Sequence, residues 1–222
     1  MNRIEPKWQR YQNDVEKQKS RNHLDNLQGG DEGNVDASVR QSGRYRFFCV
    51  DYSNQRQVGQ LLKKYQIDTI IHFAAISSVD FSYAYPEETY NNNVTGMLHL
   101  LQAVTVEDTP VKRFIHISTD EVYGDSGSGV DEVGKRESDC LEPTNPYAAT
   151  KAACEQLVHT FRHSKKLPAL IVRMNNVYGP HQDDSKVIPH FTKLAMRRKP
   201  FTIAVSLSFF KIRGFEISSI FS

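Results

Sequence analysis

Apolar residues along this chain fall into short unbroken runs separated by longer stretches in which they recur every three or four positions. Four runs read as strands: Arg46-Phe47-Phe48-Cys49-Val50, Thr69-Ile70-Ile71-His72-Phe73-Ala74-Ala75, Arg113 to Ser118, and Ala169-Leu170-Ile171-Val172-Arg173. Between and after them the period is helical. Residues 55–65 place Val58, Leu61 and Leu62 on one face, and residues 86–106 carry Val94, Met97, Leu98, Leu101 and Val104. A third helix is predicted from Asn145-Pro146 to about His163 and a fourth over 188–196. Because the strands are apolar throughout rather than alternating, the order strand, helix, strand, helix predicts a parallel sheet buried on both faces. The expected fold is α/β, a doubly wound parallel sheet of Rossmann-like type.

Ligands of such sheets sit at the carboxyl ends of the strands. Three of the predicted strands end in small or polar residues, Ala74-Ala75, Ser118-Thr119-Asp120-Glu121 and Asn175-Asn176, so these ends are expected side by side at a cleft. Taken alone, Ser118 to Gly124 reads as an acidic turn, since Ser, Thr and Asp bond local backbone and Gly closes a bend. Its place at a parallel-strand end argues for chemistry instead.

The flanks lack this texture. Residues 1–43 show no sustained periodicity beyond a helix around Trp8 to Lys19, and Gly29-Gly30-Asp31-Glu32-Gly33-Asn34 reads as loop, so an irregular N-terminal segment is expected. A Gly-, Asp- and Glu-rich loop spans Asp125 to Glu142.

Composition narrows the function classes. At 222 residues one domain is expected, and 28 basic against 26 acidic residues leave a net charge of +2, which gives no electrostatic basis for a nucleic-acid or membrane partner. Cys49, Cys140 and Cys154 are odd in number and far apart, with no ligand-spaced His beside them. They read as reduced thiols of a cytoplasmic protein, and no metal is expected. The polar opening has no apolar core of a secretory signal, and the apolar stretch 201–210 is about half a bilayer span.

Tyr147 and Lys151 stand four residues apart in the helix predicted from 145, hence on one face. An ammonium beside a phenol favours the phenolate, and a Tyr so tuned can take a proton from a sugar or alcohol hydroxyl.

With these residues in place the chain resembles an extended short-chain dehydrogenase/reductase, and within that superfamily the nucleotide-sugar 4,6-dehydratases that act on dTDP-glucose or UDP-glucose. The resemblance rests on His72-Phe73-Ala74-Ala75, Asn93-Val94-Thr95-Gly96, Ser118 to Gly124, Asn145 to Lys151, Arg173 to Pro180 and Lys186-Val187-Ile188-Pro189, and it covers roughly residues 44–203. Thr119-Asp120-Glu121 discriminates, because related epimerases and decarboxylases usually carry small or hydroxylic residues there. The resemblance implies NAD as cofactor and a nucleotide-diphosphate sugar as substrate. It implies that Tyr147 takes the C4 hydroxyl proton as NAD oxidises C4, with Thr119 bonding that hydroxyl. Glu121 then removes the C5 proton, Asp120 protonates the departing C6 hydroxyl, and a 4-keto-6-deoxy sugar results. Asp51 matches the family's adenine-contacting acid, Ala74 and Ala75 the backbone that the cofactor approaches, and Lys151 a contact to the nicotinamide ribose. Asn93 matches an Asn that supports the Tyr/Lys pair through water, and Asn176, Lys186 and Pro189 fall where the family grips the sugar nucleotide. The two long helices, 86–106 and 145–163, are the expected pairing surface of a homodimer.

The chain also departs from the family. The first strand, glycine-rich turn and helix that hold the cofactor pyrophosphate are not found in residues 1–43, and residues 204–222 form an atypical tail where the family has a substrate-capping region. Ser78 stands where the dehydratases usually have His. A catalytic middle without its flanks is therefore expected, with weakened cofactor binding. Two alternatives stay open: a nucleotide-sugar epimerase or decarboxylase, and a non-catalytic relative that binds or regulates an intact dehydratase.

Overall fold

The structure is a computed structural model, and it describes residues 20–27, 32–106, 108–124, 134–179, 181–184 and 186–200. The expected helix around Trp8 to Lys19, the glycines at 29 and 30 and the tail 204–222 lie outside the described residues. Two compact units are present, residues 1–176 and 177–222, where the sequence suggests one domain over 44–203.

In the first unit, strand β1 (Arg21–Asp25) runs parallel to β2 (Tyr45–Cys49), with Arg21 opposite Tyr45 and Asp25 opposite Cys49. This corrects the expectation for residues 1–43: part of that segment is a strand. The signal is weak because RNHLD has a single aliphatic residue, Leu24, and it is Leu24 that packs against the core. Between β1 and β2 the described residues form one 3-10 turn (Glu32–Asn34) and a short helix, α1 (Ala37–Arg40), so no long strand-to-helix crossover appears among them.

A second parallel sheet has the order β3 (Thr69–His72), β4 (Arg113–Thr119), β5 (Ala169–Met174). Ile71 is in register with Ile115, and Ile115 with Leu170. The strand ends carrying Ala74-Ala75, Ser118 to Glu121 and Asn175-Asn176 are therefore adjacent, as expected.

Helix α2 (Gln55–Lys64) starts where Asn54 accepts from Gln57 N at 3.1 Å, buries Val58 and Leu62, and ends on Lys63 and Lys64, cations suited to a helix C-terminus. The region expected as one helix over 86–106 is broken into α4 (Pro86–Tyr90), a wider π-turn (Asn91–Thr95) and α5 (Gly96–Val104). Just before it, α3 (Val79–Ala84) forms where Ser78 accepts from Phe81 N at 3.2 Å, so the residue that replaces the family His is a helix cap here. The long helix α6 (Pro146–Ser164) follows Asn145 as cap, with Pro at its first position.

Met97, Leu100, Leu101 and Val104 of α5 and Cys154 and Val158 of α6 form the core with Phe114 and Ala169 of the sheet. The opposite sheet face is not covered among the described residues: Ile71, Leu170 and Val172 are exposed. This corrects the expectation of a sheet buried on both faces, because apolar sequence gives a strand's affinity for cover but not whether cover is present.

The second unit contains α7 (Val187–Met196), entered from Lys186. Among the described residues no helix is long and apolar enough to cross a membrane.

Candidate active site

β4 ends at Thr119 and turns at once into one 3-10 turn, Asp120–Tyr123. Thr119 sets that turn: its hydroxyl oxygen accepts from Glu121 N at 3.3 Å and donates to Asp120 Oδ1 at 3.3 Å. Val122 and Tyr123 point inward and are buried, so the two carboxylates between Thr119 and Val122 are left half-buried at the strand end. The turn closes at Gly124, whose φ of +80° suits glycine and whose position leaves no room for a side chain, since a Cβ would lie 2.2 Å from Glu142 O. Glu142 N in turn donates to Val122 O at 3.0 Å.

Facing the turn is the first half of α6. Asn145 Oδ1 accepts from Ala148 N at 2.8 Å, and Asn145 Nδ2 donates to Glu121 Oε2 at 2.9 Å. Asn145 is thus both helix cap and carboxylate holder, a role the sequence reading missed. The Asn-Pro helix start was the available signal. Ser82 was missed as well. It is fully buried in α3, its hydroxyl accepts from Tyr147 N at 3.1 Å, and it donates to Val79 O at 2.7 Å.

Tyr147 and Lys151 are both buried on one face of α6, as their spacing predicts. Their electrostatics differ from the expectation. Burial is the largest influence on Tyr147, and with the nearby Glu121 and Asp120 carboxylates it pushes the phenol up to about 12, against the opposing pull of a hydrogen bond with Thr119. Lys151 Nζ donates to Ile117 O at 2.6 Å instead of serving the phenol. The expected lowering of Tyr147 by Lys151 is therefore corrected: burial and the two carboxylates raise the phenol, and the ammonium is bonded to a carbonyl. Burial also lowers the Lys151 ammonium, with Glu155 among the groups that oppose the shift.

Asn93 lies in the π-turn and is buried. Its side chain accepts from Ile76 N at 2.8 Å and donates to Ile76 O at 3.0 Å and Thr150 Oγ1 at 2.9 Å. The support it gives α6 is a direct bond to the residue before Lys151.

The remaining expected positions are more dispersed. Asp51 follows β2 and is exposed. Burial is the largest single influence and raises its carboxyl, but the hydrogen bonds from Ser53 and Asn26 together outweigh it and hold the group below the ordinary value. Ala74 is exposed and Ala75 half-buried, which leaves the end of β3 open to approach. Asn176 is exposed beyond the end of β5. Lys186 belongs to the second unit, where it stands at the N-cap position of α7 without a side-chain capping bond.

A family model described as GDP-mannose 4,6 dehydratase matches residues 10–202. Among curated relatives, a trifunctional UDP-glucose 4,6-dehydratase/UDP-4-keto-6-deoxy-D-glucose 3,5-epimerase/UDP-4-keto-L-rhamnose-reductase of Arabidopsis thaliana is 45% identical over 170 residues, 77% of this chain and 25% of the relative. A dTDP-D-glucose 4,6-dehydratase of Dictyostelium discoideum is 36% identical, over 72% of this chain and 38% of the relative. The structure of a dTDP-glucose 4,6-dehydratase from Streptomyces venezuelae, solved with NAD bound, superposes with a TM-score of 0.72 at 36% identity, over 80% of this chain and 52% of that one. The chain thus spans between a quarter and about half of the length of these relatives.

Proposed function

The chain belongs to the GDP-mannose 4,6 dehydratase family, and from that premise we propose that it performs nucleotide-diphosphoglucose 4,6-dehydration with NAD. The observation that supports this reading most is the Thr119-Asp120-Glu121 turn held against Tyr147 by Asn145 and Thr119. An epimerase needs only one proton relay at the oxidised carbon. Two carboxylates beside that relay suit an elimination, which takes one proton from carbon and gives another to the departing hydroxyl.

The described residues fit both ends of the cofactor. Asp51, two residues beyond β2, is assigned to the adenine, and Tyr147 and Lys151, buried on one face of α6, to the nicotinamide ribose. No glycine-rich strand-to-helix turn that would cradle the diphosphate occurs among the described residues. When bound, NAD would supply the hydride acceptor that lets the sugar C4 become a ketone and the hydride that C6 receives once its hydroxyl has left. The protein's share is proton transfer. Tyr147, bonded to Thr119, would receive the C4 hydroxyl proton as the phenolate, a form that needs the cationic ring of the bound cofactor to offset the burial and carboxylates that otherwise keep the phenol protonated. Glu121, aimed by Asn145, takes the proton from C5, which the ketone has acidified. Asp120, whose Oδ1 is engaged by Thr119, offers a proton from its other oxygen to the C6 hydroxyl as it leaves. Asn176, just beyond β5, is assigned to the nucleotide sugar.

UDP-glucose is the first substrate to try, since identity is 45% to the UDP-glucose relative and 36% to the dTDP-glucose one. The exposed free thiols Cys49 and Cys140 fit a cytoplasmic setting, and a homodimer through residues 86–106 and 145–163 is assigned on the exposure of Tyr90. The experiment is incubation of the purified chain with NAD and UDP-glucose or dTDP-glucose, with the 4-keto-6-deoxy product followed by NMR. Glu121→Gln should accumulate reduced cofactor without product. Unchanged product from that variant would remove Glu121 as the base.

A further inference from the structure

We infer that Glu155 and Arg173 form a positioning pair that grips the Thr119-Asp120-Glu121 turn at both ends and fixes its register against Tyr147 and Lys151. The inference rests on the dehydratase reading above for what that turn does. Glu155 lies one helical turn beyond Lys151, as Lys151 lies one turn beyond Tyr147, so a single face of α6 carries all three. Its side chain is fully buried. Oε1 accepts from Ser118 Oγ at 2.6 Å, and Ser118 is the residue immediately before Thr119. The Arg173 guanidinium then forks onto the same carboxylate, Nε at 3.0 and 3.2 Å and Nη2 at 2.7 Å.

Arg173 has one more arm. Its Nη1 donates to the Tyr123 hydroxyl and, at 3.1 Å, to Glu137 O, while the guanidinium carbon sits 4.6 Å from the Tyr123 ring centre. Tyr123 is the last residue of the 3-10 turn. One ion pair therefore holds the residue before the acidic turn and the residue that ends it. It also ties both to α6 and to β5, where Arg173 stands opposite Ser118.

Stability alone does not call for this arrangement. Buried ion pairs can often be replaced by apolar residues of similar volume without loss of stability, because desolvation offsets their attraction. What an apolar replacement cannot supply is direction. Proton transfer tolerates little misplacement: a shift of about 1 Å in a reacting group can cost on the order of a hundredfold in rate.

The test compares the full chain with Glu155→Leu/Arg173→Met, with Ser118→Ala and with Arg173→Lys. The first readout is backbone amide hydrogen exchange without cofactor or sugar. The amides of Glu121, Gly124 and Glu142 report on the turn, since they bond Thr119 Oγ1, Glu121 O and Val122 O respectively. Exchange at these three should rise about tenfold or more in the double variant while core amides of β4 and α6 stay within about twofold. If the double variant does not fold, Ser118→Ala, which removes one hydroxyl, should show the same localised rise to a smaller degree. Arg173→Lys keeps the charge but lacks the fork, and should not restore protection. The second readout is turnover, in which kcat should fall about a hundredfold with KM for the nucleotide sugar within about threefold. Unchanged exchange at the turn, or loss of protection spread evenly through the core, would overturn the inference. Failure of the dehydratase reading would show separately, as absent turnover in the unaltered chain with the exchange difference intact.

Discussion

Asn145 Nδ2 donates to Glu121 Oε2 at 2.9 Å while Oδ1 of the same side chain accepts from Ala148 N at 2.8 Å, so one amide both starts α6 and orients the proposed base. The two roles separate by substitution. Asn145→Ala should lose the cap, at a cost of about 1 kcal/mol in chemical denaturation, together with the hold on Glu121. Asn145→Ser should restore most of the cap but cannot reach Glu121 with a donor in the same way. We therefore expect the Ser variant to unfold within about 0.5 kcal/mol of the unaltered chain while product formation stays depressed in both. Recovery of turnover in Asn145→Ser would confine Asn145 to capping.

The far end of the acidic turn depends on Gly124. Its φ of +80° and the 2.2 Å approach of Glu142 O to any added Cβ act together, and the obstacle is backbone that also serves a hydrogen bond from Glu142 N to Val122 O. Gly124→Ala should destabilise the chain by at least about 2 kcal/mol, since it adds steric displacement to backbone strain. Urea denaturation measures this. A variant as stable as the unaltered chain would show that the 120–124 turn moves freely.

Tyr147 gives a prediction opposite to the one its spacing suggests. Burial and the two neighbouring carboxylates push its phenol up to about 12, and Lys151 is engaged with Ile117 O. In the cofactor-free chain Tyr147 should remain protonated through about pH 11, read from the Cζ resonance of 13C-labelled tyrosine with Tyr147→Phe to assign it. Lys151→Met should leave that resonance unmoved over the same range. A downfield shift near neutral pH would mean that Lys151 already acts on the phenol. Because the folded value lies above the unfolded value of about 10, the associated stability is complete below pH 10 and is lost as pH rises toward 12.

These cases show which features were legible. Apolar runs such as Phe114 to Ile117 and the helical spacing of Met97, Leu101 and Val104 gave the β3–β4–β5 ladder and the helices that cover it, because burial of those side chains drives both. The acidic turn and Tyr147 were readable from strand-end position and motif. What escaped was polar and relational. β1 has too few apolar residues for its pattern to register, and its parallel pairing comes from backbone bonds to β2. Ser82, Asn145 and Glu155 act through specific hydrogen bonds across 65, 24 and 37 residues of sequence, which no local period encodes. The direction of the Tyr147 shift also depends on three-dimensional placement: spacing set Lys151 on the right face, but a carbonyl took its ammonium.

The last prediction concerns two residues the proposed chemistry does not use. His72 on β3 and His116 on β4 are in register, buried and stacked, with Nδ1 atoms 3.3 Å apart. One ring donates its Nδ1–H to the bare Nδ1 of the other, so the accepting ring must be neutral, and burial favours the neutral form of both. Burial first, and then the Lys151 charge, lower both well below the ordinary histidine value, His72 to about 3. The unfolded chain takes up these protons at about pH 6.5 and the folded chain does not. Stability from the pair is therefore present above about pH 6.5 and is lost as pH falls toward about 3, by up to about 1.4 kcal/mol per pH unit for each ring. Replacing both rings with His72→Leu/His116→Leu removes donor and acceptor together, a change that can be nearly neutral when shape is kept. Urea midpoints measured from about pH 7 to pH 5 should then fall less steeply for the double variant than for the unaltered chain. Parallel curves for the two proteins would show that at least one ring is already protonated in the folded state, and that the Nδ1 contact is not the neutral pair its burial demands.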